Sequence, residues 1–121
     1  MTIDKKYIDS FINVASNAAL SSYFLVGKKD KIAADQAAVD SMRTELNKID
    51  MCGEIVIGEG ELDEAPMLYI GEKLGTGKGP SIDIAVDPLE GTNFAAKNLP
   101  GALSVIAITL KGNLFNAPET Y

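Results

Sequence analysis

The sequence predicts an α+β fold in which two helices precede a mixed β-sheet. Up to Ile49, apolar residues recur at the spacing of a helical face. Beyond that point the chain contains short β-branched runs that are bounded by Gly, Pro or acidic residues. Helices grouped before strands are typical of layered α+β packing, because each element has to bury one apolar face against another layer.

Two amphipathic helices are expected before Cys52. Apolar and small residues in the range 3–27 recur on one helical face, so we expect a first helix that begins after Asp4. The second helix is expected to begin near Asp35 and to end before Cys52. Its apolar face is formed by Val39, Met42, Leu46 and Ile49. Asp35 is therefore expected at a helix start.

Short strands are expected in the rest of the chain. The predicted ranges are 55–57, 67–70, 82–86 and 102–110. The last range is almost continuously apolar, which is typical of a strand covered on both faces, and residues 111–113 predict a tight turn after it. The glycine-rich range 75–80 only loosely resembles a phosphate-binding loop, because Pro80 and a strand follow it, so we expect a plain turn.

Composition excludes several classes of protein. With 121 residues the chain is at most one domain, and 46% hydrophobic against 23% charged residues is the balance of a chain that folds. The net charge of −6 argues against nucleic-acid binding. No membrane span is recognisable, and the single cysteine, Cys52, cannot form an intramolecular disulfide, so a cytoplasmic location is expected. The absence of histidine excludes His-based zinc sites and Ser-His-Asp triads.

Negative charge is concentrated in one part of the chain. Residues 54–90 contain nine acids and two bases, a local charge of −7, whereas the remainder sums to +1. Carboxylates that converge in space repel each other by several kcal/mol at an effective dielectric of ~20, unless cations neutralise them. The charge distribution therefore favours a site for hard divalent cations, which prefer oxygen ligands.

The string Asp87-Pro88-Leu89-Glu90-Gly91-Thr92 follows the predicted strand 82–86. Pro88 is expected to end the strand, so that Asp87 and Glu90 flank a bend and offer oxygens to a metal. If a helix begins near Glu90, a phosphate can rest on Gly91 and Thr92, and the Thr92 hydroxyl can hold the attacking water. A surface turn capped by Asp and Thr explains the string in isolation equally well.

A second acidic string, residues 58–64, follows the predicted strand 55–57. A buried parallel strand would deliver Glu59 next to Asp87, and both would then bind one metal. Asp63 lies beyond the glycine turn and is the other candidate, whereas Glu61 and Glu64 are also explained as a solvated face. Two metals about 4 Å apart would polarise a phosphoryl oxygen and generate hydroxide, which favours phosphate ester hydrolysis.

Three stretches resemble the N-terminal part of class II fructose-1,6-bisphosphatase of the GlpX type. They are GKKDKIAADQAAVDSMR, IVIGEGELDEAPMLYIGEKLGTG and IDIAVDPLEGT. The DPLEGT string is also similar to the D-P-[IL]-D-G-[ST] signature of the wider lithium-sensitive phosphatases, which include inositol monophosphatase, with Glu90 where most members have Asp. The resemblance implies the layered α/β/α/β/α sandwich of the sugar phosphatases.

The resemblance also implies roles for particular residues. The implied ligands of Mn²⁺ or Mg²⁺ are Asp35, Glu59, Asp87 and Glu90. The implied contacts to the sugar phosphate are Glu90, Gly91, Thr92 and Tyr121, and Asp63 and Thr92 fall at positions implicated in activating water. For Asp35 a second role, as a base paired with the threonine, stays open. Lys31 is a weak candidate for charge near the phosphate.

The implied activity is removal of the 1-phosphate of fructose 1,6-bisphosphate in gluconeogenesis, by a cytoplasmic homo-oligomer. Alternatives are a phosphatase for sedoheptulose 1,7-bisphosphate or an inositol phosphate, and a catalytically incomplete metal-binding fragment. The relatives are roughly three times as long, and their further part supplies another carboxylate ligand and arginines for the second phosphate. Residues 1–121 are thus expected to be the N-terminal part of one sugar-phosphatase domain. Arg43, the only arginine, is expected on the second helix, away from the bend.

Overall fold

The computed structural model describes residues 3–60 and 67–117. Within these ranges the elements are α1 (Lys6–Tyr23), α2 (Lys31–Asn47), β1 (Cys52–Ile57), β2 (Lys73–Leu74), β3 (Ser81–Glu90), α3 (Thr92–Ala96) and β4 (Leu103–Leu110). The strands form one sheet in the order β2-β1-β3-β4. β1 and β3 are parallel, whereas β1–β2 and β3–β4 are antiparallel. The predicted α+β fold, with two helices before a mixed sheet, is confirmed.

The core lies between the two long helices and one face of the sheet. Side chains of β3 that point to this face, Ile82, Ile84 and Val86, are buried. From the helix side the core receives Phe11, Val14, Ala18, Ala34, Ala38, Val39, Met42 and Leu46, which repeat at helical spacing. The apolar periodicity of the sequence therefore identified the packed face of α2. For α1 the predicted face is wrong in part, because it included Ile8 and Ile12, which are exposed, and missed Val14, which is buried. No helix in the described ranges is long and apolar enough to cross a membrane.

The start of α2 differs from the prediction. The helix begins at Lys31, because the Asp30 side chain accepts a hydrogen bond from the Ala33 amide at 3.0 Å and caps the first turn. The small residues that follow Asp30 favour helix, so the helix is already formed before the chain reaches Asp35. The expected start near Asp35 is wrong, and Asp35 lies inside the helix.

The strand β3 also differs from the prediction, since it runs past Pro88 to Glu90. Its pairing with β4 is regular as far as Asp87 and resumes at Glu90, which pairs with Leu103 after a shift in register. Pro88 lies within this irregular stretch, where its missing amide hydrogen removes no regular ladder bond. The expected end of the strand at Pro88 is therefore wrong.

Residues 67–70 do not form the predicted strand, and the antiparallel neighbour of β1 is the two-residue strand β2. Residues 67–72 instead make separate backbone bonds. The Glu59 amide donates to the Leu68 carbonyl at 2.9 Å, and the Ile70 amide donates to the Gly60 carbonyl at 3.1 Å. Gly71, with φ of +93°, then turns the chain. The apolar residues of this segment are used for packing and for supporting Glu59.

Within the described residues β4 is an edge strand and only one of its faces is covered, so the expectation of cover on both faces is wrong for this part of the chain. It pairs only with β3, and Leu103 and Val105 are 57% and 41% exposed. An apolar run indicates which side chains are more stable when buried, but the described residues bury them on one face of β4 only. The turn predicted at 111–113 is confirmed: the Gly112 amide, at φ +90°, donates to Asp83 Oδ2 at 2.8 Å.

The glycine-rich range 75–80 is a turn, as predicted. Its amides are already used within the chain, since Gly75 donates to Asn47 Oδ1 at 3.1 Å and Thr76 to the Ile49 carbonyl at 3.0 Å. A phosphate-binding loop keeps such amides for its ligand. This segment therefore holds the end of α2 to the sheet.

Candidate metal centre

The acidic strings lie at the carboxyl ends of two neighbouring parallel strands. β1 ends at Ile57, which pairs with Ala85 on β3, and Glu59 and Asp87 each follow two residues later. The Glu59 side chain is close enough to Asp87 to lower the pKa of Asp87 through a side-chain hydrogen bond. The parallel pairing thus places Glu59 next to Asp87, as the sequence predicted.

Asp87 is the electrostatic centre of this group. Burial raises the pKa of Asp87, and the negative charge of Glu90 raises it further, whereas hydrogen bonds from Glu59 and from the Leu89 backbone lower it. Burial and the like charge prevail, and the pKa of Asp87 is raised from 3.8.

Asp35 approaches this group from α2. Burial raises its pKa, and the charge of Asp87 raises it further. Asp35 Oδ1 is buried and has no hydrogen-bond partner among residues 3–60 and 67–117. A buried acceptor without a donor is unfavourable unless a ligand satisfies it.

A cavity of about 290 Å³ joins Asp35 to Thr92. Lys31 and Met67 also line it, so the weak candidate Lys31 does lie beside two of the stronger ones. Thr92 is half-buried and opens α3, which is shorter than the helix expected from Glu90 onward. With five residues, α3 sums few peptide dipoles, so its effect on an anion is small.

Gly91 occupies a position that other residues would fill poorly. Its φ is +77°, and a Cβ placed there would lie 2.9 Å from the Phe94 ring and 3.4 Å from Ala102 Cα. Its carbonyl accepts from the amides of Phe94 and Ala95 and so starts α3. Gly91 therefore allows the sharp change of direction that places Thr92 beside Asp35.

The four predicted metal ligands interact in pairs. Asp87 raises the pKa of Asp35, and Glu59 and Glu90 in turn shift the pKa of Asp87. Within the described residues, however, no three acidic groups lie close enough together to hold a cation without rearrangement. The donor set nevertheless fits Mn²⁺ or Mg²⁺, because it consists of carboxylate oxygens, one of them buried without a donor. The repulsion between these carboxylates and their raised pKa values also favour a bound cation, because its positive charge would stabilise their ionised forms.

Some predicted site residues lie outside the described ranges. Asp63 and Tyr121 are among them, so their proposed roles stay predictions. Arg43 was expected to lie away from the bend, but its guanidinium donates to the carbonyl of Met67, a residue that lines the cavity. No signal in the sequence indicated this contact, because the two residues are 24 positions apart.

A mixed sheet packed under two helices, with carboxylates at its parallel strand ends, is the arrangement expected of the sugar phosphatase class. Residues 5–121 match the family described as bacterial fructose-1,6-bisphosphatase, glpX-encoded. The chain belongs to this family.

Two cyanobacterial relatives illustrate the similarity. One from Prochlorococcus marinus (strain MIT 9303) is 52% identical over 119 residues, and one from Synechococcus sp. (strain CC9605) is 53% identical over the same length. Both are described as D-fructose 1,6-bisphosphatase class 2/sedoheptulose 1,7-bisphosphatase. The match covers 98% of this chain and 36% of each relative, so the chain spans about a third of their length.

Proposed function

We propose that this chain is the N-terminal part of a metal-dependent phosphomonoester hydrolase, a single sugar-phosphatase domain, that removes the 1-phosphate of fructose 1,6-bisphosphate in gluconeogenesis. The observation that carries the proposal is the parallel pairing of β1 and β3, which sets Glu59 beside Asp87 and Glu90, while Asp35 approaches from α2. The names of the two cyanobacterial relatives support the choice of a sugar bisphosphate.

In this proposal Asp35, Glu59, Asp87 and Glu90 hold Mn²⁺ or Mg²⁺. When bound, such a cation polarises a phosphoryl oxygen and lowers the pKa of a water molecule. Thr92 lines the same cavity as Asp35 and orients the attacking water through its hydroxyl. Gly91 lets the phosphate approach the backbone closely, and Asp63 and Tyr121 keep the roles predicted for them in water activation and sugar-phosphate binding.

A second candidate substrate is sedoheptulose 1,7-bisphosphate, because the names of both relatives include this activity. The two substrates share the chemistry at the scissile phosphate, so the four carboxylates would serve both. An inositol phosphate is less well supported, since the DPLEGT string departs at Glu90 from the signature that those phosphatases share. A fragment that binds metal without turnover is the non-catalytic alternative.

The proposal is tested by phosphate release from fructose 1,6-bisphosphate in the presence of Mn²⁺. The assay compares this chain with a chimaera in which it replaces the matching segment of the Synechococcus relative. In the chimaera, Glu59→Ala and Asp87→Ala are expected to lower the rate by roughly 100-fold or more, because a lost ligand removes several kcal/mol of transition-state stabilisation. Asp40→Ala, which removes an exposed acid on α2, is the matched control.

Rates in the two ligand variants equal to that of the unmodified chimaera would overturn the proposed metal site. The same assay with sedoheptulose 1,7-bisphosphate ranks the two substrates. If the chain alone binds Mn²⁺ but releases no phosphate while the chimaera is active, the chain is an incomplete part of the enzyme. An inactive chimaera that folds and binds Mn²⁺ would favour the non-catalytic alternative.

A further inference from the structure

Arg43 joins α2 to the segment that supports Glu59. Its Nε donates to Glu72 Oε2 at 2.7 Å, and its Nη2 donates both to Glu72 Oε1 at 3.0 Å and to the Met67 carbonyl at 2.6 Å. The side chains of Arg43 and Glu72 are only 27% and 10% exposed, respectively. A two-pronged guanidinium–carboxylate contact restricts geometry more strongly than a single ion pair does. Arg43 therefore holds residues 67–72 at two points.

Residues 67–72 in turn hold the main chain of Glu59. The Glu59 amide donates to the carbonyl of Leu68, the neighbour of Met67, at 2.9 Å. Leu68 is fully buried, and a Cβ on Gly58 would come within 2.5 Å of its carbonyl oxygen, so the two backbones are in close contact. A displacement of the peptide that Arg43 binds is therefore passed directly to Glu59.

The other end of the segment is tied to β1. The Ile55 amide donates to the Glu72 carbonyl at 3.0 Å, and the Gly71 amide donates to the Ile55 carbonyl at 2.8 Å. Glu72 is thus bound to β1 through its backbone and to α2 through its side chain. Because α2 carries Asp35 eight residues before Arg43, a helical rise of about 12 Å, one rigid helix presents an implied ligand and braces the strand that leads to another.

We propose that Arg43 is a positioning residue for Glu59 in the metal centre, an inference that rests on the proposed function. Metal ligands must lie within about 0.2 Å of their ideal distances, so a ligand that follows a strand end needs external support. Arg43 supplies this support by fixing Met67 and Glu72, and it has no contact with metal or substrate in this role. Loss of such supporting contacts typically weakens metal affinity by roughly 10-fold to 100-fold.

The test is a Mn²⁺ titration of the chain, with free Mn²⁺ measured by electron paramagnetic resonance. We expect Arg43→Met to weaken binding by about tenfold, the lower end of that range, because Arg43 acts through the backbone. Arg43→Lys is expected to fall between the wild type and Arg43→Met, since an ammonium can reach Glu72 or the Met67 carbonyl but lacks the planar fork. Lys73→Met is the matched control, because it breaks the exposed Lys73–Glu54 ion pair between β1 and β2.

A second readout needs no metal. In the metal-free chain, amide hydrogen exchange at Glu59 is expected to accelerate in Arg43→Met and to stay unchanged in Lys73→Met. Circular dichroism identifies variants that do not fold. If Arg43→Met is one of them, Arg43→Lys is judged by the same criteria. A folded variant that is less stable but keeps the wild-type Mn²⁺ affinity and Glu59 exchange rate has lost only a structural contact, which would overturn the inference.

Asp87→Asn separates this inference from the proposed function. If the wild type binds Mn²⁺, Asp87→Asn does not, and the Arg43 variants bind as the wild type does, the positioning role alone is wrong. If Asp87→Asn binds Mn²⁺ as tightly as the wild type, the proposed metal centre is wrong. The positioning of Glu59 by Arg43 is then decided by the exchange measurement.

Discussion

Asp87 shows how a single residue is placed at a cost to the fold. Its position at the end of a parallel strand buries it partly and sets it beside Glu90, and burial and the charge of Glu90 together raise its pKa. A carboxylate that is harder to ionise in the folded state than in the unfolded chain destabilises the protein once it ionises. Such a residue is explained by what it binds, since strained or destabilised groups concentrate at functional sites.

At the residue scale, we expect Asp87→Asn to raise the melting temperature of the metal-free chain at pH 7 and above. The folded-state pKa lies above the ordinary value of 3.8, so the stability linked to this group is complete below that value and is lost as the pH rises through the folded-state pKa. Asn carries no charge and avoids this loss. The measurement is thermal unfolding by circular dichroism from pH 3 to pH 8 with a chelator present.

The matched control is Asp83→Asn; Asp83 lies four residues earlier on the same face of β3 and accepts a hydrogen bond from the Gly112 amide. This variant is expected to bring no gain at pH 8. Added Mn²⁺ should reverse the order of the wild type and Asp87→Asn, because a cation that binds only the native state stabilises the chain that keeps its ligand. A lower melting temperature for Asp87→Asn than for the wild type at pH 8 without metal would contradict this account.

At the element scale, the junction between β3 and α3 controls the direction in which Thr92 points. β3 carries Asp87 and Glu90 to the sheet edge, and Gly91 reverses the chain so that α3 begins at once. Neither element would place Thr92 beside Asp35 without the other. The geometry of this half of the site therefore depends on one glycine between a strand and a short helix.

Gly91→Ala is expected to destabilise the chain by about 1–3 kcal/mol from its left-handed conformation, with an additional loss from the clash with Phe94. Gly77→Ala is the matched control, because Gly77 has a similar φ of +86° but open space around its Cβ position. Urea unfolding of both variants isolates the contribution of the clash. Equal losses in the two variants would show that the close approach at Gly91 does not matter.

On the scale of the whole molecule, one side of the described chain is left without a partner. A groove of about 630 Å³ lies between α1 and β4, and it is lined by Ile8, Ile12 and Val105 among other apolar residues. Among residues 3–60 and 67–117, no strand pairs with the outer edge of β4, and this edge adds backbone groups to the exposed apolar surface. Surfaces of this kind promote association.

We expect the chain to self-associate with increasing concentration, and Val105→Lys to reduce this association. A lysine on an edge strand opposes edge-to-edge pairing and makes the groove polar. Leu20→Lys is the matched control, since Leu20 is 55% exposed on α1 but lies outside the groove. Sedimentation velocity of the three proteins is the measurement. If Val105→Lys associates as strongly as the wild type, this surface does not mediate self-association. The homo-oligomer expected from relatives stays a separate prediction.

The predictions from sequence that succeeded depend on local patterns. Periodicity located α1 and α2, and β-branched runs located β1 and β3. The ones that failed depend on competition or on distant partners. Asp30 rather than Asp35 lies at the start of α2 and caps it. Pairing with Leu103 extends β3 beyond Pro88. The contact between Arg43 and Glu72 spans 29 positions, so no pattern of neighbours could reveal it.

Residue types and their spacing were enough to predict two helices before a sheet, to exclude histidine chemistry and to locate carboxylates after apolar strands. Those properties are written in residue types and their spacing, because propensity and amphipathic faces are local. Only the packing of distant segments placed Asp35 within α2, set Glu59 beside Asp87, and brought Arg43 to the segment behind Glu59. These meetings depend on strand register and on burial, which arise only when distant parts of the chain pack together.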